Sequence, residues 1–210
     1  MRRAKTELKR GRLVAIEGID RGGKSSLVQA LPGLLSDCTV PIIVCRERQS
    51  PLASLIGDQH LAETSAFLKT YLFATDRAWT CENKACPVLS QGGLVLWDRY
   101  VDSALAYRAV EISLKQSKID IGFVEAINKP FQPADLTIYI DISAETSVAR
   151  AERQARRQPY GRPFLEAVQR EYMLLAKRRN YVVINGERSP ETVAQEAASK
   201  IREAFGEMFK

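Results

Sequence analysis

Five short runs of apolar residues are spaced along the chain, and in none of them do apolar and polar residues alternate. The runs cover residues 13–17, 40–45, 94–98, 136–141 and 181–185. Uninterrupted apolar runs of this length are typical of strands that are covered on both faces, as in parallel sheets. The pattern therefore predicts five buried, parallel strands.

The intervals between these runs contain stretches with helical periodicity. Residues 24–35 and 190–205 both carry apolar side chains three and four positions apart, and Ser189 stands where a helix cap is expected. Strands that alternate with helices indicate an α/β fold, in which a parallel sheet lies between two helical layers with right-handed crossovers.

The composition is that of an ordinary globular protein and narrows the class of protein further. The chain has 210 residues, of which 45% are hydrophobic and 27% charged. These values exclude a disordered chain, a collagen and a disulfide scaffold, and the length favours one domain. No apolar run approaches the roughly 20 residues of a membrane helix, and the first twelve residues lack the apolar core of a secretory signal.

Most of the formal net charge of +6 lies in the first twelve residues. We therefore expect residues 1–12 to be a basic tail and residues 13–206 to form a single domain. Because the remaining chain is close to neutral, nucleic-acid binding is not favoured. The four cysteines show no paired spacing, and free thiols are typical of a reducing cytoplasm.

Residues 18–25 read Gly-Ile-Asp-Arg-Gly-Gly-Lys-Ser, a complete phosphate-loop motif. The motif follows the first predicted strand and precedes the first predicted helix, which is the context it requires. Its glycines let backbone N–H groups converge on an anion, and the helix N-terminus adds partial positive charge. Lys24 is predicted to reach the β and γ phosphates of a nucleotide, and the Ser25 hydroxyl to bind Mg²⁺.

Asp98 ends the third apolar run, where a carboxylate can help to hold Mg²⁺ beside a phosphate loop. The guanine-binding signature Asn-Lys-x-Asp is not formed by Asn128 and Lys129, because Pro130 and then Phe131, in place of Asp, follow them. A GTPase is therefore not favoured, and a small-molecule kinase is the natural remaining class.

Residues 150–165 are rich in arginine and contain helix-breaking proline and glycine. The arginines are Arg150, Arg153, Arg156, Arg157 and Arg162. A solvated helix end is the simplest interpretation of such a run. Because a bound anion would relieve the repulsion among these side chains, we also expect this segment to act as a lid over phosphates.

From about residue 13 to residue 201 the sequence resembles the thymidylate kinase family, whose members phosphorylate dTMP to dTDP. The similar segments are residues 13–26, 45–47, 71–79, 98–108 and 133–143. The resemblance implies a three-layer fold like that of P-loop nucleoside-monophosphate kinases, with an arginine-rich lid. It also implies ATP as phosphoryl donor, dTMP as acceptor, Mg²⁺ as cofactor and a homodimer, for which a surface around Leu68, Leu72 and Leu105 is available.

The resemblance assigns roles residue by residue. The implied ATP-binding residues are Gly18, Ile19, Asp20, Arg21, Gly22, Gly23, Lys24, Ser25, Ser26 and Arg150. The implied catalytic residues are Lys24, Arg21, Asp20 and Asp98, and the implied metal ligands are Ser25 and Asp98. The implied dTMP-binding residues are Arg46, Phe73, Arg77, Arg99, Tyr100, Ser103, Tyr107 and Arg108.

In the family pattern, Phe73 would stack on thymine and Arg77 would donate to the base O4. Ser103 would contact the base as well. The family usually has Gln where this chain has Arg108, so we expect a looser selectivity for thymine.

Arg46 and Arg99 would hold the acceptor phosphate, for which the planar guanidinium fork is well suited. Tyr100 and Tyr107 would line the sugar pocket and exclude a 2′-hydroxyl. Family members carry a catalytic arginine either in the phosphate loop or in the lid, and Arg21 is in the loop here.

Three alternative functions stay open at this point. A deoxynucleoside kinase would use Asp98 or Glu47 as a base toward an alcohol acceptor. A nucleoside-monophosphate kinase of broader specificity would keep the fold and the mechanism. A regulatory nucleotide-binding protein is disfavoured, because Arg21, Lys24, Ser25 and Asp98 are all present.

Overall fold

A sheet of five parallel strands forms the centre of the computed structural model, which describes residues 10–53, 64–114, 117–155 and 159–210. The strands are β1 Arg12–Glu17, β2 Ile42–Arg46, β3 Leu94–Asp98, β4 Leu136–Asp141 and β5 Val182–Asn185. Their order across the sheet is β2-β3-β1-β4-β5, and each neighbouring pair is parallel. All five predicted strands are confirmed, with ends shifted by at most two residues.

Helices fill the intervals between the strands. The α-helices are α1 Lys24–Leu34, α2 Ala66–Thr80, α3 Cys86–Ser90, α4 Val101–Leu114, α5 Ile121–Asn128, α6 Ala144–Arg153, α7 Arg162–Arg179 and α8 Pro190–Ala204. A π-helical turn, Cys81–Ala85, joins α2 to α3, and a short 3₁₀ turn, Gly206–Met208, follows α8. Ser189 caps α8 as predicted, since its hydroxyl accepts a hydrogen bond from the Thr192 N–H at 3.2 Å.

Alternate residues of each central strand face opposite layers of helices. Val14 and Ile16 of β1 pack with α1 and α8 on one face of the sheet. Leu13 and Ala15 face the other side, where they pack against the π-helical turn and α3. On that second side, β4 contributes Tyr139 to a core shared with α4 and α7. The central strands β1, β3 and β4 are therefore covered on both faces, whereas Val183 of the edge strand β5 is 43% exposed. The predicted three-layer α/β fold is confirmed.

Parts of three predicted features lie outside the described residues or differ from expectation. Residues 1–9 of the predicted tail and the lid residues 156–158 are outside them, and β1 begins at Arg12. Of the expected dimer surface, Leu68 is 49% exposed, but Leu105 is buried against α2 and α5. None of the described helices is both long and apolar enough to cross a membrane.

The carboxylate of Glu17, at the end of β1, is buried and joins three elements. Its Oε1 accepts hydrogen bonds from the backbone N–H groups of Tyr100 and Ser103, at 2.8 and 3.3 Å. Its Oε2 accepts from the hydroxyls of Ser103 and Tyr172. Burial, reinforced by the nearby charge of Asp102, raises the pKa of Glu17 to about 7. This carboxylate fixes the first turn of α4, and through Tyr172 also α7, to the strand that leads into the phosphate loop.

The raised pKa of Glu17 predicts a pH-dependent contribution to stability. The carboxyl has a pKa of about 7 in the folded protein, against 4.5 as the ordinary value. The folded state therefore binds the proton more tightly, so this contribution is fully present below pH 4.5 and is lost as the pH rises through 7. We expect the unfolding free energy of the wild type, relative to that of Glu17→Gln, to fall by on the order of 1–3 kcal/mol between pH 4.5 and 8.

Denaturant titrations across this pH range would measure the difference in unfolding free energy between the wild type and Glu17→Gln. Glu125→Gln, at an exposed position on α5, is the matched control and should leave the pH profile unchanged. A profile of the wild type parallel to that of Glu17→Gln would contradict the prediction.

Candidate active site

The phosphate loop lies between β1 and α1, and its backbone conformation explains its glycines. Gly18 has φ +147°, and a Cβ at that position would lie 2.6 Å from the backbone oxygen of Ile140. Gly23, which precedes the first residue of α1, has φ 90°, a left-handed conformation that suits glycine. Arg21 also has a left-handed backbone, with φ 58°, which costs a side-chain-bearing residue about 1 kcal/mol.

Lys24 is held inside the loop rather than extended into solvent. Its Nζ donates a hydrogen bond to the backbone oxygen of Ile19 at 2.6 Å, and only 4% of the residue is exposed. Burial, together with the nearby positive charge of Arg99, lowers the pKa of Lys24 to about 8. An anion bound in the loop would oppose both effects and favour the charged ammonium.

Ser25 and Asp98 come together from the loop and from β3. The Ser25 hydroxyl donates to Oδ2 of Asp98 at 2.6 Å. The second carboxylate oxygen, Oδ1, is buried and has no hydrogen-bond partner in the described part of the chain. Mg²⁺ prefers oxygen ligands and keeps several waters. A hydroxyl and a carboxylate with one unsatisfied oxygen fit that preference, so these residues suit Mg²⁺.

A cavity of about 620 Å³ runs from the phosphate loop to helices α2 and α4. The loop residues Asp20, Arg21, Gly22, Gly23, Lys24, Ser25 and Ser26 line one end. The far end is lined by side chains of α2 and α4, among them Phe73 and Arg108, and by Tyr160. A single space therefore connects an anion-binding loop to an aromatic ring flanked by a cation.

Arg99 pairs with Asp20 at the loop end of the cavity. Their side chains form an ion pair, and Arg99 Nη1 also donates to the backbone oxygen of Gly18 at 3.4 Å. The Arg99 guanidinium stands 5.3 Å from the ring centre of Tyr107, which lines the cavity too. A cation at this position can neutralise an anionic group placed beside the phosphate loop.

Arg77 does not line the cavity, although the family pattern places it on the base. It is 2% exposed, and its guanidinium donates to the Asn128 side chain and to the backbone oxygen of Tyr100. The neighbouring Asp76 accepts from the backbone N–H groups of Arg48 and Ser50, at 2.6 and 3.0 Å. In this structure Asp76 therefore holds the segment after β2 in place, and Arg77 holds the backbone at the start of α4.

Tyr100 and Arg46 do not line this cavity either. Tyr100 packs on Trp97 at 4.8 Å between ring centres, and its hydroxyl donates to the backbone oxygen of Gln132. Arg46 is the last residue of β2 and lies opposite Asp98 of β3 in the strand register. Its Nε is buried without a hydrogen-bond partner among the described residues. Their expected contacts with dTMP stay predictions.

Ser103 and Tyr107 do line the cavity, as the family pattern implies. The Ser103 hydroxyl is engaged by Glu17 and lies 2.7 Å from the hydroxyl of Tyr172. This residue therefore has a structural task in addition to any contact with a ligand.

Helix α6 supports the phosphate loop from its other side. Arg150 donates to the backbone oxygen of Arg21 at 3.1 Å and to that of Gly186 at 2.9 Å. Ser147 donates to the backbone oxygen of Asp20 at 2.8 Å. Arg150 thus bridges the loop to the segment after β5, and it does not line the cavity described above.

Sequence reasoning missed several residues of the cavity. They are Arg48, Lys69, Thr70 and Ala104, while Glu47 was considered only as a base. Gln154, Pro159 and Tyr160 also line the cavity, and they belong to residues 150–165, the segment predicted to be a lid.

Helical spacing could have identified three of the missed residues. Lys69 and Thr70 lie four and three positions before Phe73 on α2, and Ala104 lies four positions before Arg108 on α4. Arg48 belongs to a separate chain segment that meets the cavity only in the folded protein.

Comparison with known proteins agrees with this geometry. The chain matches the family model for thymidylate kinase over residues 16–197. It belongs to the thymidylate kinase family. The resemblance stated from the motifs is thereby confirmed, as are the fold class and an enzyme of this class.

Named relatives align over nearly the whole chain. A probable thymidylate kinase of Halorubrum lacusprofundi is 30% identical over 93% of this chain and 100% of its own length. A probable thymidylate kinase of Pyrobaculum aerophilum is 31% identical over 90% and 95%, respectively. A thymidylate kinase of a Synechococcus species is 32% identical over 93% and 99%.

The backbone conformation of Gly18 predicts that a side chain at this position would destabilise the protein. A methyl group there would require a left-handed φ and would meet the backbone oxygen of Ile140 at 2.6 Å, where nothing flexible can yield. We expect Gly18→Ala to lower the unfolding free energy by roughly 2 kcal/mol or more.

Denaturant unfolding would measure this effect, with Gly33→Ala as the matched control. Gly33 lies within α1 and has open space around its Cβ position, so alanine there should stabilise the protein by about 0.5–1 kcal/mol. Equal effects of the two substitutions would contradict the assignment of strain to Gly18.

Proposed function

We propose that this protein transfers the γ-phosphoryl group of ATP to dTMP, which yields ADP and dTDP. The observation that carries the proposal is the single cavity that joins a complete phosphate loop to Phe73 and Arg108, in a chain of the thymidylate kinase family. ATP would occupy the loop end of the cavity, and the acceptor would extend from Arg99 to Phe73. Both substrates then meet beside Asp20 and Arg21.

Residues of the loop would bind and orient the ATP phosphates. The backbone N–H groups of the loop and the N-terminus of α1 attract anions. Lys24 is already held over the loop by the backbone oxygen of Ile19, so its charge is in place before ATP binds. We propose that Arg21 neutralises the charge that develops between the donor and acceptor phosphates, which is where preorganised cations act most strongly on transfer.

Ser25 and Asp98 are the residues that would hold Mg²⁺. When bound there, the ion neutralises charge on the phosphate oxygens of ATP. The unsatisfied Oδ1 of Asp98 supports this part of the proposal.

The acceptor side needs positioning more than acid–base chemistry. A phosphate monoester has a second pKa of about 6 and is already largely ionised at neutral pH, so no strong general base is required. A phosphate oxygen of dTMP attacks the γ phosphorus, and the bond from that phosphorus to the bridging oxygen of ADP breaks. Arg99 would hold the acceptor phosphate, Tyr107 would lie beside the sugar, and Phe73 would stack on the base.

We further propose a homodimer formed through the exposed face of α2. Phe67, Leu68 and Tyr71 are exposed there, and the rings of Phe67 and Tyr71 pack on Phe123 of α5. An apolar, aromatic surface of this kind favours a protein partner over solvent.

A panel of acceptors, assayed with ATP and Mg²⁺, is the experiment that tests the function. We expect dTMP to give the highest kcat/KM, followed by dUMP, which lacks one methyl group and should lose about 10–200-fold at most. Thymidine should be far worse, because Arg99 would face no phosphate. A higher kcat/KM for thymidine than for dTMP would overturn the proposal in favour of a deoxynucleoside kinase, and equal values for dTMP, dCMP and dGMP would indicate a kinase of broader specificity.

Removal of the loop ammonium should abolish turnover without unfolding the protein. Lys24 contacts the loop backbone and does not belong to an apolar cluster, so Lys24→Ala should keep the fold while kcat falls by at least about 100-fold. Lys200→Ala, on the exposed face of α8, is the control and should leave kcat unchanged. Retention of more than about half of the wild-type kcat by Lys24→Ala would exclude the proposed role of this lysine.

A further inference from the structure

Four buried polar side chains form a cluster at the end of the cavity farthest from the phosphate loop. Three of them line the cavity, namely Lys69 of α2, Arg108 of α4 and Tyr160 before α7, and Glu111 of α4 contacts all three; each is less than one tenth exposed. Lys69 Nζ and the Tyr160 hydroxyl both donate to Oε1 of Glu111, the hydroxyl at 3.0 Å. Lys69 Nζ also lies 3.2 Å from the Tyr160 hydroxyl. Glu111 thus forms ion pairs with both cations of the cluster.

Arg108 is the member of this cluster with a buried donor that has no aligned acceptor among the described residues. Its Nε lies 2.9 Å from Oε2 of Glu111, which makes an ion pair, yet Nε has no aligned hydrogen bond within the described part of the chain. A guanidinium carries five N–H donors, and buried donors without partners cost free energy. Because Arg108 lines the cavity, with its guanidinium 5.7 Å from the ring centre of Phe73, a ligand is the natural source of the missing acceptor.

The position of Arg108 along α4 identifies which part of the acceptor it would meet. Helix α4 begins at Val101, directly beyond Arg99, and Arg108 lies seven residues further on, which corresponds to about 10 Å along the axis. Arg99 contacts the phosphate loop. An acceptor whose phosphate lies at Arg99 would therefore bring its base, not its phosphate, to Phe73 and Arg108.

We propose that Glu111 is a positioning residue for base recognition, which holds Arg108 against Phe73 so that the guanidinium donates to a carbonyl oxygen of the acceptor base. The inference rests on the proposed function. Two buried cations, Lys69 and Arg108, would repel each other if Glu111 did not lie between them. A buried ion pair with one partner removed leaves an uncompensated charge, so the orientation of Arg108 depends on this carboxylate.

This arrangement distinguishes bases by the edge that they present. Thymine and uracil offer a carbonyl oxygen at position 4, which accepts from a guanidinium, whereas cytosine offers an amino group that donates. A donor that faces a donor leaves both unpaired, and such mismatches discriminate more strongly than a missing methyl group.

Steady-state kinetics with dTMP, dUMP and dCMP would test the role of Arg108. Arg108 would supply the selectivity for thymine that its departure from the family's usual Gln was expected to loosen. We expect Arg108→Met, which removes every side-chain donor, to raise the KM for dTMP about tenfold, to leave the KM for ATP within about twofold, and to reduce the preference for dTMP over dCMP by about tenfold or more. Arg108→Lys keeps the charge but loses the planar fork, and should lose most of the same preference. The matched control is Arg170→Met, at an exposed position on α7.

A double-mutant cycle would test whether Glu111 acts through Arg108. Glu111→Gln should raise the KM for dTMP about tenfold in the wild-type background and have little further effect in the Arg108→Met background. Glu111→Asp should restore part of the affinity, because it keeps the charge. If Glu111→Gln does not fold, as thermal unfolding would show, Glu111→Asp takes its place in the cycle.

Three results would be decisive against the inference. An unchanged dTMP:dCMP preference in Arg108→Met would remove Arg108 from base recognition. Equal effects of Glu111→Gln, or of Glu111→Asp in its place, in both backgrounds would show that Glu111 acts independently of Arg108. In either case a wild type that phosphorylates dTMP leaves the proposed function intact, whereas a wild type that does not phosphorylate dTMP overturns that function and this inference with it.

Discussion

The buried carboxylate of Glu17 is the contact on which both ends of the cavity depend. It stands on the last residue of β1, one position before the phosphate loop, and accepts hydrogen bonds from the first turn of α4. Helix α4 in turn carries the side chains of the far end, Tyr107 and Arg108. A buried carboxylate is costly unless its oxygens accept hydrogen bonds. The hydrogen bonds of Glu17 to α4 therefore fix the two ends of the cavity relative to each other.

The features that were predictable from sequence are those fixed by local chemistry. Continuous apolar runs locate the strands because a strand buried on both faces has no room for polar residues. The phosphate loop is recognisable because Gly18 and Gly23 adopt backbone conformations that few other residues tolerate. The position of Asp98 beside the phosphate loop was also predictable, because the carboxyl ends of neighbouring parallel strands meet at one edge of the sheet.

The direction of a long side chain was not predictable in this way. Arg77 and Arg108 both belong to segments similar to the family, and both were predicted to bind dTMP. The guanidinium of Arg77 is bound by Asn128 and Tyr100, whereas Arg108 lines the cavity. Which of them is engaged depends on α5 and on the segment before β4, far away in sequence. Lys69 and Glu111 were missed because charged residues on a helix usually face solvent, and only the packing of α2 against α4 shows that these two are buried.

The left-handed backbone of Arg21 shows where the fold gives up stability within the phosphate loop. A side chain at φ 58° costs about 1 kcal/mol relative to a relaxed backbone conformation. Gly18 and Gly23, which also have positive φ in this loop, avoid that cost because they lack a Cβ. Sparsely populated backbone conformations of this kind cluster at functional sites, where the surrounding structure enforces them. The strain at Arg21 therefore agrees with the role in phosphoryl transfer that is proposed for its side chain.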